Sequence, residues 1–188
     1  MKRLIMIHGW GGSGQGGWFD WLRQELKNRG WKVENPNMPN TDEPEIDFWV
    51  NKLKEIAGDA DEETYFLGHS IGCQTILRYL EKLPENIKVG GVIFVAGWFT
   101  LKGLNSEEKE IVKPWLETPI DLKKVKKHTD KFIAIFSDND PYVPLSNVEL
   151  FKNNLRAKTI VLNNKEHFNE IVEFPEVLNS VLEMSGEK

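Results

Sequence analysis

Cysteine is nearly absent from this 188-residue chain. Cys73 stands alone, which excludes an internal disulfide and any cysteine-rich metal centre. No apolar run approaches 18 residues, so no segment reads as a membrane-spanning helix. A secretory leader is not evident either: residues 1–7 lead straight into strand-like sequence, without a longer apolar stretch or a small-residue cleavage site, and the cytoplasm is the expected compartment. Positive charge is also short. With 24 Lys and Arg against 29 Asp and Glu the net charge is −5, whereas a sequence-independent nucleic-acid surface needs clustered cations. The one basic run, Lys123-Lys124-Val125-Lys126-Lys127, reads as the solvated face of a helix. The expected partner is therefore a small molecule rather than nucleic acid or membrane. No cofactor or metal is expected, and nothing in the sequence points to a protein partner.

What is present suits one globular domain spanning residues 1–188. Hydrophobic residues make up 40% and charged residues 28%, and a chain of this length buries roughly 70% of its unfolded surface. Seven tryptophans and ten phenylalanines exceed the needs of a minimal core, so some are expected to line a pocket. Short apolar runs at 4–7, 31–34, 65–67, 92–95, 132–136 and 159–162 alternate with amphipathic segments. Trp18, Trp21, Leu22 and Leu26 share one helix face, as do Ile46, Trp49, Val50, Leu53 and Ile56. Cys73, Ile76, Leu77 and Leu80 repeat the pattern, and Pro175 opens a last helix burying Val177, Leu178, Val181 and Leu182. This alternation predicts an α/β fold of about six mainly parallel strands, with helices on both faces and little or no lid. Residues 97–128 are longer than a plain crossover requires. They form either a small cap over the site or an ordinary helical connection, with a helix expected over 107–112.

In such sheets function gathers beyond the carboxyl ends of the strands. Gly68-His69-Ser70-Ile71-Gly72 follows the third strand and precedes a helix, which is the nucleophile-elbow pattern. A serine on a sharp strand-to-helix turn exposes its hydroxyl. Residues two before and two after must be small, because strand and helix crowd them. A plain glycine turn with Ser70 as helix cap is the structural alternative. Asp140 follows the fifth strand in Ser137-Asp138-Asn139-Asp140-Pro141, and His167 follows the sixth. Ser70 as nucleophile, Asp140 as orienting acid and His167 as general base reproduce the serine, aspartate, histidine order of the α/β-hydrolases. Of the other histidines, His128 adjoins the lysine run and is expected at the surface. His69 lies on the wrong side of the elbow to act as base, and His8 belongs to a glycine loop. Asp138 competes for the acid role. Asp140 is favoured because Pro141 biases it to an extended conformation within a defined turn.

The glycine loop, Gly9-Trp10-Gly11-Gly12-Ser13-Gly14 and on to Gly17, supports two readings. In the first, a His-Gly pair supports an oxyanion loop, with backbone N–H groups from Trp10 and Ile71 facing the developing charge. In the second, the loop cradles a dinucleotide, with Glu34 placed as a ribose-binding acid. The second gives no reason for the elbow or for Asp140 and His167. A third class is a binding protein that keeps the hydrolase architecture without turnover. Trp10, Trp98, Phe99, Trp115, Tyr142 and Phe168 are the candidate pocket residues, suited to an apolar acyl or alcohol group.

Over nearly its whole length the chain resembles the small serine hydrolases of the α/β-hydrolase superfamily, the family typified by retinoblastoma-binding protein nine. The likeness rests on Gly17-Trp18 after the glycine loop, Asn37-Met38-Pro39-Asn40, the elbow, Asp140-Pro141-Tyr142-Val143-Pro144, and His167-Phe168 with Phe174 beyond. It implies a six-stranded, mainly parallel sheet and a carboxylic-ester hydrolase working through an acyl-enzyme on Ser70. The Leu-x-Cys-x-Glu pattern for retinoblastoma binding is absent, so that partner is not carried over.

Overall fold

The computed structural model describes residues 1–187. Their order is β1 Arg3–Ile7, α1 Gly17–Lys27, β2 Lys32–Glu34, α2 Ile46–Ala57, β3 Thr64–His69, α3 Ile71–Glu81, β4 Gly91–Val95, α4 Ser106–Glu117, α5 Leu122–His128, β5 Phe132–Ser137, α6 Ser146–Leu155, β6 Lys158–Leu162 and α7 Pro175–Ser185. The strands form one sheet in the order β2-β1-β3-β4-β5-β6, and every pairing is parallel.

Burial explains the apolar runs. β3, β4 and β5 are buried at every position, as strands covered on both faces must be, while edge strand β6 keeps Lys158 and Val161 exposed. Helices α2, α3, α5 and α6 pack in succession along one layer, and α1 packs with α7 in the other. Helix α3 is buried along almost its entire surface, because it lies between the sheet and its neighbours α2 and α5. Trp49, Trp98, Trp115 and Phe66 are among the largest fully buried side chains. Each such aliphatic or aromatic group contributes on the order of 2–3 kcal/mol by leaving water.

The strand order creates the crevice. From β1 the chain crosses to β2 on one side and then returns to β3 on the other, so the loops after β1 and β3 diverge. A ligand site is expected where the order reverses in this way. Those two loops are the glycine loop and the elbow.

Two expectations need correction. Helix α4 is not confined to 107–112 but runs on through Pro114 to Glu117. Proline removes the bond to the carbonyl of Glu110, an exposed residue, and tertiary bonds hold the last turn. The Trp115 indole donates to the Pro44 carbonyl at 2.8 Å, and Arg78 donates to the carbonyls of Trp115 and Thr118, each at 2.8 Å. His128 is buried rather than at the surface, since it shares a face with Val125 while all four lysines of α5 point to solvent. Its Nδ1 bonds the Ile87 carbonyl at 2.8 Å.

His8 and His69 are buried as well. Burial lowers the His8 imidazole below the usual histidine range, against the opposing pull of the Gly9 carbonyl. Burial, then the nearby His167 ring, pushes His69 down to about 3. A histidine depressed in the folded state binds its proton more readily when unfolded. Stability is therefore fully present above the unfolded value of about 6.5 and declines as pH falls toward the folded value. For His69 alone the loss from pH 8 to pH 5 should be about 2 kcal/mol. Urea titrations at both pH values measure it. His69→Gln, which keeps an N–H donor but cannot titrate, should flatten the slope; an unchanged slope would place the acid sensitivity elsewhere.

Candidate active site

Ser70 adopts φ 53° and ψ −119°, a left-handed conformation that a non-glycine residue enters only under constraint. Its N–H donates to the Val95 carbonyl at 2.9 Å, which ties the turn to β4. A Cβ at position 68 would lie 2.6 Å from the Cys73 nitrogen, and one at position 72 would strike the Ile7 carbonyl. Both glycines are therefore demanded by backbone-to-backbone contact. The Ser70 hydroxyl makes no helix-capping bond and is bonded to no other group among the described residues. Cys73, one turn on, is buried with its thiol pushed up, and its Sγ bonds the Gly68 carbonyl at 3.1 Å.

The glycine loop closes over the elbow, and a Cβ on Gly9 would lie 3.4 Å from the Ser70 Cβ. His8 Nε2 accepts the Met38 N–H at 3.0 Å, which makes Nδ1 the protonated nitrogen; it donates to the Gly9 carbonyl at 2.7 Å. That carbonyl also accepts from the Gly12 N–H at 3.2 Å. In a trans peptide the N–H points opposite the carbonyl, so these two bonds turn the Trp10 N–H away from His8. Neither the Trp10 nor the Ile71 N–H donates to another group among the described residues, and both residues line the cavity with Ser70. The pair can receive an oxyanion.

The third and fourth loops bring acid and base together. His167 Nδ1 bonds Asp140 Oδ2 at 2.8 Å, with the carboxylate 2% and the imidazole 12% exposed. Asp140 Oδ1 accepts the N–H groups of Tyr142 and Val143 at 2.8 and 2.9 Å. Burial alone would raise the Asp140 carboxyl. The His167 hydrogen bond and charge, with the two N–H groups, outweigh it and hold the group below the usual range. Asp138 does other work: its Oδ1 accepts the Asn164 N–H at 2.8 Å.

Sequence reasoning missed three positioning elements. Ser137, Asp138 and Asn139 form a ladder whose side chains accept the N–H groups of Lys165, Asn164 and Glu166, the residues just before His167. His69 bonds the His167 carbonyl through Nε2 at 2.8 Å, its ring 5.0 Å from that of His167. Asn147, fully buried, accepts from the N–H groups of Phe99 and Thr100 and donates to the carbonyls of Thr100 and Pro144. A run of short polar residues directly after a strand was the available signal for the ladder.

A cavity of about 510 Å³ opens above Ser70 and His167. Trp10, Trp98, Tyr142 and Phe168 line it, together with Leu101, Leu104 and Val112 from residues 97–128. Phe99 and Trp115 do not. Phe99 packs on Phe151 at 4.7 Å between ring centres, and Trp115 is buried with its indole on Pro44. The dinucleotide reading of the glycine loop also finds no support in the geometry. Gly14 is packed against Asn35 and Pro36, its N–H donates to Asn37 Oδ1 at 2.8 Å, and Glu34 faces Arg3 and Lys32. Among the described residues no three His, Cys, Asp or Glu side chains are grouped to hold a metal, and no helix is long and apolar enough to cross a membrane.

Known proteins resemble this chain in sequence and fold. The chain is 30% identical over 169 residues to the putative hydrolase YdeN of Bacillus subtilis, covering 90% of this chain and 87% of that one. It is 26% identical over 185 residues to the serine hydrolase RBBP9 of Rattus norvegicus, covering 97% and 95%. The crystal structure of the B. subtilis ydeN gene product superposes over the full length of both chains with a TM-score of 0.89 at 26% identity. Est1E of Butyrivibrio proteoclasticus, at 15% identity, shares the fold, with a TM-score of 0.74 over 99% of this chain and 89% of its own. The serine hydrolase family model matches residues 4–180, and with an α/β-hydrolase sheet and an elbow serine behind that match, the chain belongs to the serine hydrolase family.

Proposed function

We propose that this hydrolase cleaves carboxylic esters through an acyl-enzyme on Ser70. One observation carries the reading: a serine hydroxyl with no structural partner shares a cavity with an imidazole whose other nitrogen is bonded to a buried carboxylate. Because His167 Nδ1 donates to Asp140, Nε2 is the bare nitrogen and can take the Ser70 proton as Oγ bonds the ester carbonyl carbon. The carbonyl oxygen becomes an anion facing the Trp10 and Ile71 N–H groups. Losing one such donor costs roughly 3–4 kcal/mol of transition-state stabilisation in enzymes of this kind. Collapse breaks the bond to the alcohol, which leaves with the proton held by His167. Water then repeats the sequence on the acyl-enzyme and releases the acid. Asp140, kept ionised by its three hydrogen bonds, holds the tautomer and balances the imidazolium.

Ser70→Ala should abolish both hydrolysis of a short aryl ester and covalent labelling by a fluorophosphonate, with an unchanged circular dichroism spectrum. Labelling that persists and maps to another serine would overturn the nucleophile. Asp140→Asn should lower kcat by about 10⁴-fold, the effect of losing a tautomer-holding acid. Asp138→Asn leaves an oxygen that can still accept the Asn164 N–H, so it should cost less than tenfold. The reverse ranking, in two folded variants, would reassign the acid.

A further inference from the structure

The cavity wall carries charge of one sign. Among the described residues lining it there is no lysine or arginine, and its one carboxylate belongs to Glu108. Asp140 is not part of the lining: it lies behind His167, with its oxygens taken by that ring and by the Tyr142 and Val143 N–H groups; His8 and His69 are held uncharged by burial. Glu108 is also held still. It is the third residue of α4, where Asn105 Oδ1 accepts the Glu108 N–H at 3.0 Å and Glu108 Oε2 accepts the Asn105 N–H at 2.8 Å. This capping box fixes the side chain and places it beside the apolar surface of Leu104 and Val112. Both capping bonds need only an oxygen acceptor, which glutamine also supplies, so Glu108→Gln removes the charge and its modest interaction with the helix dipole while keeping the box.

We propose that Glu108 sets substrate selectivity, so that the site takes neutral or cationic esters and rejects those carrying a carboxylate or phosphate near the ester bond. The proposal rests on the ester-hydrolase reading above. A fixed carboxylate in the partly exposed cavity wall disfavours an anionic group held in the cavity while Ser70 reaches the ester carbonyl. The same carboxylate tolerates or attracts an ammonium group.

Two matched substrate pairs test it. 4-Nitrophenyl valerate and mono-(4-nitrophenyl) glutarate differ in a terminal carboxylate; 3,3-dimethylbutyl butyrate and choline butyrate differ in a quaternary ammonium. In the wild type, kcat/KM for the glutarate ester should fall roughly tenfold below that for the valerate, while the choline ester should at least match its neutral isostere. Glu108→Gln preserves the capping box and should erase most of the glutarate deficit. Glu107→Gln removes the same charge from an exposed neighbour and should leave the deficit intact. Raising salt to 0.5 M should shrink the deficit in the wild type and not in Glu108→Gln. Selectivity unchanged in Glu108→Gln at an unchanged melting temperature would overturn the proposal, as would an equal effect of Glu107→Gln. Hydrolysis that depends on Ser70 yet ignores substrate charge would sink the selectivity alone. Failure to cleave any of the four esters would sink the underlying reading with it.

Discussion

Three pieces of backbone meet at the elbow with no side chain between them. Gly72, in the first turn of α3, lies directly on the Ile7 and His8 carbonyls at the end of β1, and Gly68 at the end of β3 lies against Gly72 and Cys73. Only this close approach lets Ser70 sit in a left-handed conformation, which costs a non-glycine residue on the order of 1–3 kcal/mol. The surrounding sheet fixes the turn. Ser70 N–H is bonded to Val95, and β3 pairs with β1 and β4 along its length. The same contact determines where the Trp10 and Ile71 N–H groups lie. The end of β1 becomes the glycine loop, and the start of α3 supplies the Ile71 N–H. Strain at one residue and the direction of two N–H groups are thus consequences of a single packing constraint.

The opposite half of the site is built from side chains. The residues around His167 include three in left-handed conformations, Asn164, Glu166 and Phe168. Such a segment would not hold one shape alone. The ladder from Ser137 to Asn139 captures three successive N–H groups ahead of His167, His69 takes its carbonyl, and the Trp18 indole donates to the Phe168 carbonyl at 3.1 Å. His167 is thus positioned by its backbone as well as by the bond from its imidazole to Asp140. Asn147 and the Lys102 N–H bond to the Tyr142 carbonyl tie the loop after Asp140 to residues 97–104, which carry part of the cavity wall.

Much of this was legible in the sequence, and the limits have physical causes. Strands with both faces buried appear as unbroken apolar runs, so 92–95 and 132–136 were found within a residue of their true ends. The elbow was legible because its glycines answer to a steric demand that leaves a fixed spacing. The juxtaposition of Asp140 with His167 was legible only as loops following adjacent strands. What could not be read depended on tertiary partners. Helix α4 passes Pro114 because Arg78 and Pro44 hold its far end, residues remote in sequence. His128 is buried because Val125 fixes the inward face of a helix whose local composition looks wholly exposed. Phe99 follows β4 as Trp98 does and Trp115 lies on α4 beside residues 97–104, yet Phe99 packs against Phe151 and the Trp115 indole is claimed by Pro44. An aromatic residue's chain position says where it starts, not which neighbour claims it.

The family-like Asn37-Met38-Pro39 segment shows how a motif outside the cavity lining still shapes it. Asn37 Oδ1 takes the Gly14 N–H, Met38 N–H fixes the His8 tautomer, and the Pro39 carbonyl accepts the Trp49 indole at 2.8 Å. Each bond reaches a different layer: the glycine loop, the end of β1 and helix α2. His8 then passes that constraint to Gly9 and, through a rigid peptide plane, to the Trp10 N–H. No side chain in this chain of contacts needs to touch a substrate. A protonated His8 would have two donors and no acceptor for Met38, so the donor direction at Trp10 depends on an imidazole that burial keeps neutral. The low polarity that makes the site costly to assemble is therefore also what keeps its hydrogen-bond directions single-valued.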